Sequence, residues 1–259
     1  MAEPEPTPAV PGAPDGYVPD DPDTARRRLH LVVLAALAAT AGWVDAVVFT
    51  TIVPTFVANQ SGNVVLVGIG AGQGRWLDTA AAGLSIGGFA AGLALSTAYR
   101  DRRLAAGRQL EPLVVLGVET ALLAALAGLA ATGPGRVDGV DGRVLVTVAA
   151  GALAMGVQTT ILRRVWGVQV STTYTSGEVA RLSEVEVAAA DGTGPARDRR
   201  AVVVLTTGVV AYAVGAAGAA WMGGSVAPLL VPPAVTASVG VVLHLDHRRH
   251  PPMAADPGL

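Results

Sequence analysis

Between Leu29 and Leu243 the chain is a series of apolar runs close to twenty residues long, and this one fact constrains the fold more than any other. A run of that length crosses the hydrocarbon of a bilayer as a helix. The runs are Leu29–Thr51, Leu77–Tyr99, Pro112–Ala131, Arg143–Leu162, Ala201–Trp221 and Ser225–Leu243. Only 15% of the residues are charged, against about 25% in soluble domains, so a polytopic helical membrane protein is expected. Pro112 suits a first helical turn, and Asp78 suits an N-cap. Pro228, Pro232 and Pro233 should break or kink the final run.

Two further stretches are apolar overall but hold a polar knot. Val53–Gly74 contains Asn59, Gln60, Ser61, Gly62 and Asn63. Val168–Ala188 echoes it, with Ser176-Gly177-Glu178 aligned to Ser61-Gly62-Asn63. Polar clusters in apolar segments are costly in a bilayer and usually line a cavity or pathway. The second also carries Arg181, Glu184 and Glu186, too many charges for a lipid-facing span.

The positions of the arginines decide whether the knotted stretches cross. All 18 basic residues are arginine. If all eight stretches cross from a cytoplasmic N-terminus, 11 arginines fall inside and 6 outside, with Arg181 in the membrane. If both knotted stretches return to the side they entered from, 15 fall inside and only Arg75, Arg136 and Arg143 outside. Positive charge gathers on the cytoplasmic side, so the second arrangement is expected. The fold class is thus an all-α membrane protein with about six transmembrane helices plus two re-entrant segments. Three crossings per half place the halves in opposite orientation, an inverted repeat. Residues 1–28 read as a disordered, acidic, Pro-rich cytoplasmic tail, 29–131 as the first repeat, 143–244 as the second and 245–259 as a short cytoplasmic tail. Supporting echoes are Gly42-Trp43-Val44-Asp45 with Gly156-Val157-Gln158-Thr159, and Phe89-Ala90-Ala91-Gly92 with Gly215-Ala216-Ala217-Gly218.

The runs GWVDAVVF, FVANQSGNVV and MGVQTTILRRVWGVQVSTTYTSGEVARL resemble the YoaK family of bacterial integral membrane proteins, also called domain of unknown function 1275. The resemblance covers about Leu31 to Leu243. It implies a multi-span protein of a bacterial inner membrane and carries no assigned activity, catalytic residue or ligand residue.

The chemistry therefore rests on the residues. Asp45 in the run Leu29–Thr51 and Glu119 in the run Pro112–Ala131 are carboxylates at membrane depth, each either a proton, cation or substrate contact or a group tied by hydrogen bonds to a neighbouring helix. Asn59, Ser61, Gly62, Asn63, Gln158, Thr173, Thr175, Ser176, Gly177 and Glu178 are candidates for a polar pathway. The plainer reading of the knots is tight turns at Gly62 and Gly177 with polar side chains capping helix starts. Gly83-xxx-Gly87 and Gly88-xxx-Gly92 fit close helix packing. His244, His247 and His250 near Asp246 read as a solvated basic end and not a metal site. The sequence calls for no cofactor, metal or nucleic-acid partner; its partners are the lipid bilayer and a small solute or ion. A secondary transporter or channel with a site between the repeats is the expected function. A scaffold or accessory subunit is the alternative, and an intramembrane enzyme is less favoured because a nucleophilic serine needs a base nearby.

Overall fold

The chain begins its first helix before the apolar run does. A computed structural model describes residues 22–132, 142–173, 180, 182–183, 196–223 and 225–249. Helix α1 is Pro22–Val47 and continues as a π-turn, Val48–Ile52. The expected tail therefore ends earlier than residue 28, because Pro22 at a helix start loses no hydrogen bond. Helix α2 is Gln60–Gly72, α3 Trp76–Ala105, α4 Pro112–Ala131 and α5 Gly142–Gln158. A hairpin of β1 (Arg164–Val165) and β2 (Val168–Gln169) follows. Helix α6 is Ala196–Trp221, and a short 3-10 turn, Ala227–Leu230, leads into α7, Val231–Arg249. The last helix thus runs beyond the expected boundary at residue 244.

Among the described residues five helical segments are long and apolar enough to cross a membrane: Thr24–Ile52, Trp76–Ala105, Pro112–Ala131, Arg200–Trp221 and Ala227–Arg249. The expected run Arg143–Leu162 supplies a shorter apolar helix of 17 residues, which stops at Gln158. Large apolar side chains such as Val64, Leu95, Val118, Val214 and Val241 are exposed on the outside of the bundle. Water would penalise such a surface, whereas hydrocarbon does not. The chain is a membrane protein. Trp76 and Trp221, both exposed, mark one end of it, as interfacial tryptophans do.

Two buried clusters give each helix a direction. One joins Val33, Leu34 and Leu37 of α1 and Val115 and Leu116 of α4 to Val157 and Ile161 after α5, Val204 and Leu205 of α6 and Leu243 of α7. The other joins the far halves: Val44 and Val47 of α1, Ala81 of α3, Leu126 of α4, Val148 of α5 and Ala219 of α6. Helices α1, α4 and α6 therefore run one way, and α3, α5 and α7 the other. At the first end Arg26 pairs with Asp246 (3.8 Å), Trp166 Nε1 donates to the Arg27 carbonyl (3.0 Å) and Arg103 pairs with Glu111 (2.6 Å). Partial burial and then the charge of Arg100 lower the guanidinium pKa of Arg163 there, with Asp101 acting in the opposite sense. Arg75 and Arg143 lie at the other end.

Helix α1 packs along α6, and α3 along α5, through glycines. A Cβ on Gly42 would overlap the Tyr212 carbonyl, and one on Gly215 the Ala39 carbonyl. A Cβ on Gly156 would overlap the Phe89 carbonyl, and one on Gly92 the Leu153 carbonyl. Gly88 lies against Ala149 and Ala152, so that glycine pair packs as expected. Gly83 and Gly87 meet nothing within 4 Å, which corrects the reading of that pair as a packing motif.

Two further expectations need correcting. The N-cap of α3 is Arg75, and Asp78 sits in the first turn, paired with Arg75 at 2.7 Å. Pro232 and Pro233 fall in the first turn of α7, where the amides have no intrahelical partner, so they start the helix and do not kink it. Pro228 sits in the 3-10 turn just before.

Candidate functional site

The first knot is built around an interruption of α1. Pro54 has no N–H and pushes the residue before it out of helical geometry, and Val53 is extended (φ −152°, ψ 145°). The π-turn ahead of it frees carbonyls, two of which are taken by threonine hydroxyls. Thr50 Oγ1 donates to Ala46 O and Thr51 Oγ1 to Val47 O, both at 2.6 Å. Chain without helical hydrogen bonds then runs to Asn59, and at membrane depth its amides need partners inside the protein.

Asp45 supplies most of them. Its Oδ1 accepts the Val57 and Ala58 amides (2.6 and 2.7 Å), and its Oδ2 the Asn59 amide (2.9 Å) and the Tyr212 hydroxyl of α6 (2.5 Å). A carboxylate has about four acceptor positions, and all four are used. Asn63, fully buried, takes the remaining amide: its Oδ1 accepts Phe56 N–H at 3.0 Å, while its Nδ2 donates to Phe56 O at 2.7 Å. Ser85 of α3 also donates to Phe56 O (2.6 Å), and Gln60 Nε2 donates to Val57 O (2.9 Å). Asn59 caps α2, its Oδ1 accepting from Gly62 N–H (3.4 Å) and the Ser61 hydroxyl (2.8 Å). Gly62 lies within α2 and makes no tight turn there. The residue is required because a Cβ would come within 2.8 Å of the Phe56 ring, which is stacked on Phe49.

The second interruption follows α5. Gln158 Nε2 donates to Leu37 O of α1 (3.1 Å), and the Thr159 and Thr173 hydroxyls pair at 3.2 Å. Between them the hairpin turns at Trp166 and Gly167, both at positive φ (56° and 77°), the geometry that a two-residue hairpin turn demands. Thr159–Thr173 and Asp45–Asn59 close loops of the same length after matching motifs. A small, partly open cleft lies between α1 and α6, lined by Ala38, Ser171, Thr172, Gly208 and Tyr212 among others. The Thr172 hydroxyl is buried with no hydrogen-bond partner among the described residues.

Among the described residues Glu119 shares no hydrogen bond with either interruption. It is fully buried on α4, and neither carboxylate oxygen has a hydrogen-bond partner among the described residues. The next residue, Thr120, bonds Thr236 of α7 at 2.8 Å.

The candidate residues thus divide. Asp45, Asn59, Ser61, Gly62 and Asn63 come together, and their polar atoms serve the broken backbone. Ser61 is exposed and Gln158 and Thr173 belong to the second interruption. Thr175, Ser176, Gly177 and Glu178, like Arg181, lie outside the described residues. The sequence reading missed Tyr212 and Ser85, which complete the first knot; each is an isolated polar group in an apolar helix, the only signal that could have found them. It also missed the hairpin, whose signal is the Trp-Gly pair between Val165 and Val168.

No curated protein and no solved structure matches the chain. A family model described as "Protein of unknown function (DUF1275)" matches residues 33–243, from within α1 to within α7, and so takes in both interruptions and Glu119. On that match the chain belongs to the DUF1275 family of proteins of unknown function.

Proposed function

We propose that the chain is a secondary transporter or channel for a small solute or ion, built as an inverted repeat with its site between the halves. In this reading six helices cross, α5 with its following turn being the short one, and two segments return to the side they entered from. The observation that carries it is the reciprocal helix contact. Ala39 and Gly42 of α1 meet Gly215 and Tyr212 of α6, while Leu153 and Gly156 of α5 meet Gly92 and Phe89 of α3, each pair three residues apart. The first helix of each half thus packs on the second helix of the other half, and the matched helices run in opposite directions. Interrupted helices at the interface of two such halves are where transporters place substrate and coupling ion. The gathering of arginines at one end supports cytoplasmic termini in a bacterial inner membrane.

A non-transporting scaffold is the second reading, favoured by the closed hydrogen bonding of the first knot, where Asp45 has no acceptor position left for a ligand. No catalytic role is proposed: Ser61 bonds Asn59, and the described histidines His30, His244 and His247 stand at the arginine-rich ends of α1 and α7. The test is a thermal-shift screen of purified protein against small solutes, followed by uptake of any hit into proteoliposomes. A solute that both stabilises the protein and accumulates supports transport. A broad screen with no stabilising solute, together with liposomes no more permeable than empty ones, leaves the scaffold.

A further inference from the structure

Helices α4 and α5 run antiparallel, and two contacts fix their register. Near one end Arg143 donates to Thr132 O (3.2 Å), and further along Gly151 faces the Leu126 side chain, whose Cδ1 stands where a Cβ would go. Seven residues are close to two helical turns, so a step of seven keeps to one face. Stepping back seven from Leu126 and forward seven from Gly151 moves along the bundle in the same direction and lands on Glu119 and Gln158. Both side chains are fully buried.

Neither oxygen of Glu119 has a hydrogen-bond partner among the described residues, and neither has Oε1 of Gln158. The orientation of the Gln158 amide follows from chemistry. The Leu37 carbonyl can only accept, so Nε2 is the atom that faces it and Oε1 is the atom left over. Two facing helices therefore present three oxygen acceptors and one formal negative charge. Among the described residues no side chain of opposite charge reaches them. On α5 the only charged residue is Arg143, engaged with Thr132 at the far end. On α7 the titratable and charged residues are His244, Asp246, His247, Arg248 and Arg249, all two or more turns beyond Thr236. On α1 Arg26, Arg27, Arg28 and His30 lie near its start, and Asp45, two turns past Leu37, has its own acceptors filled.

An apolar interior does not tolerate a lone carboxylate, and acceptors without donors match a cation in place of a sugar, an amino acid or an anion. One carboxylate balances one charge, and no cluster of three metal-ligating side chains exists among the described residues, so a divalent metal is not the fit. We propose that Glu119 and Gln158 together hold a monovalent cation, H⁺ or Na⁺, and that this ion drives the transport proposed above. The second clause rests on that reading; the site itself does not.

The experiment uses full-length protein in nanodiscs. Its melting temperature is titrated with NaCl against choline chloride at fixed ionic strength, then followed across pH in sodium-free buffer. A sodium site raises the melting temperature saturably with NaCl. A proton site shows a pH response without sodium. In either case E119Q, which keeps the shape and removes the charge, abolishes the response, and Gln158→Leu weakens the apparent affinity about tenfold or more. Should E119Q fail to assemble, the parent protein answers alone: its carboxyl infrared band should shift between NaCl and choline chloride, or between two pH values. An E119Q protein with the parent's full sodium and pH response overturns the site, as does a parent protein silent in both titrations and in the infrared. A cation response with no solute that stabilises or accumulates keeps the site and removes the transporter. A transported solute whose uptake ignores both ions removes the coupling of this ion to transport and leaves the site to the melting and infrared results.

Discussion

Replacing Asp45 should unravel the first interruption in proportion to the number of amides it orphans. In Asp45→Ala three buried amide N–H groups, Val57, Ala58 and Asn59, lose their acceptor together. An unsatisfied buried donor costs about 1–3 kcal/mol, so the loss is about 3–9 kcal/mol. That rivals the 5–15 kcal/mol of a typical domain, and the variant should fail to accumulate. Asp45→Asn is milder. Its oxygen can keep Val57 and Ala58, while its NH₂ group turns toward the Asn59 amide and the Tyr212 hydroxyl, which can rotate to accept. One donor is orphaned and two bonds lose charge assistance, for a total of about 3–5 kcal/mol. Tyr212→Phe removes one donor to the carboxylate and should cost about 1–3 kcal/mol. Thermal unfolding of detergent-purified protein, followed by tryptophan fluorescence, gives the order Ala, then Asn, then Tyr212→Phe. At about 2–4 °C per kcal/mol the Asn variant should melt roughly 6–20 °C below the parent. An Asp45→Asn protein that melts with the parent, or one harmed more than Asp45→Ala, would refute the anchoring role.

Gly62→Ala should destabilise by about 1–3 kcal/mol, and Phe56→Leu in the same chain should recover part of the loss, because the clash is with the Phe56 ring. Melting temperatures of the two single variants and the double variant test this; additive losses would show that the ring is not the obstacle. Gly42→Val and Gly156→Val should each prevent assembly, while Gly83→Ala and Gly87→Ala leave the melting temperature within a few degrees of the parent, since open space surrounds them. Equal effects in the two sets would contradict the packing of α1 on α6 and α3 on α5. Single cysteines in this cysteine-free chain report topology. An impermeant thiol reagent on intact cells should label a cysteine at Gly139 but not one at Gln109, and the opposite pattern would invert the orientation.

The helical membrane class and the polar break around Asn59 to Asn63 were legible in the sequence, because both follow from local rules. A bilayer dictates the length of an apolar run, and a polar cluster inside such a run marks a departure from a plain spanning helix. The partner of each polar group was not legible. Asp45 reads as a costly charge until its four donors are seen, three from residues 57–59 and one from Tyr212, far along the chain. Glu119 reads as the same kind of charge, and among the described residues it has no donor. Likewise a glycine pair with helical spacing has the same appearance at Gly83 and Gly87 as at Gly88 and Gly92, although only the second pair faces another helix. Which face of a helix is turned toward a neighbour depends on contacts between residues remote in sequence. Spacing along one chain segment carries no record of them, so only the tertiary structure could separate the carboxylate that holds the backbone from the one left without a partner.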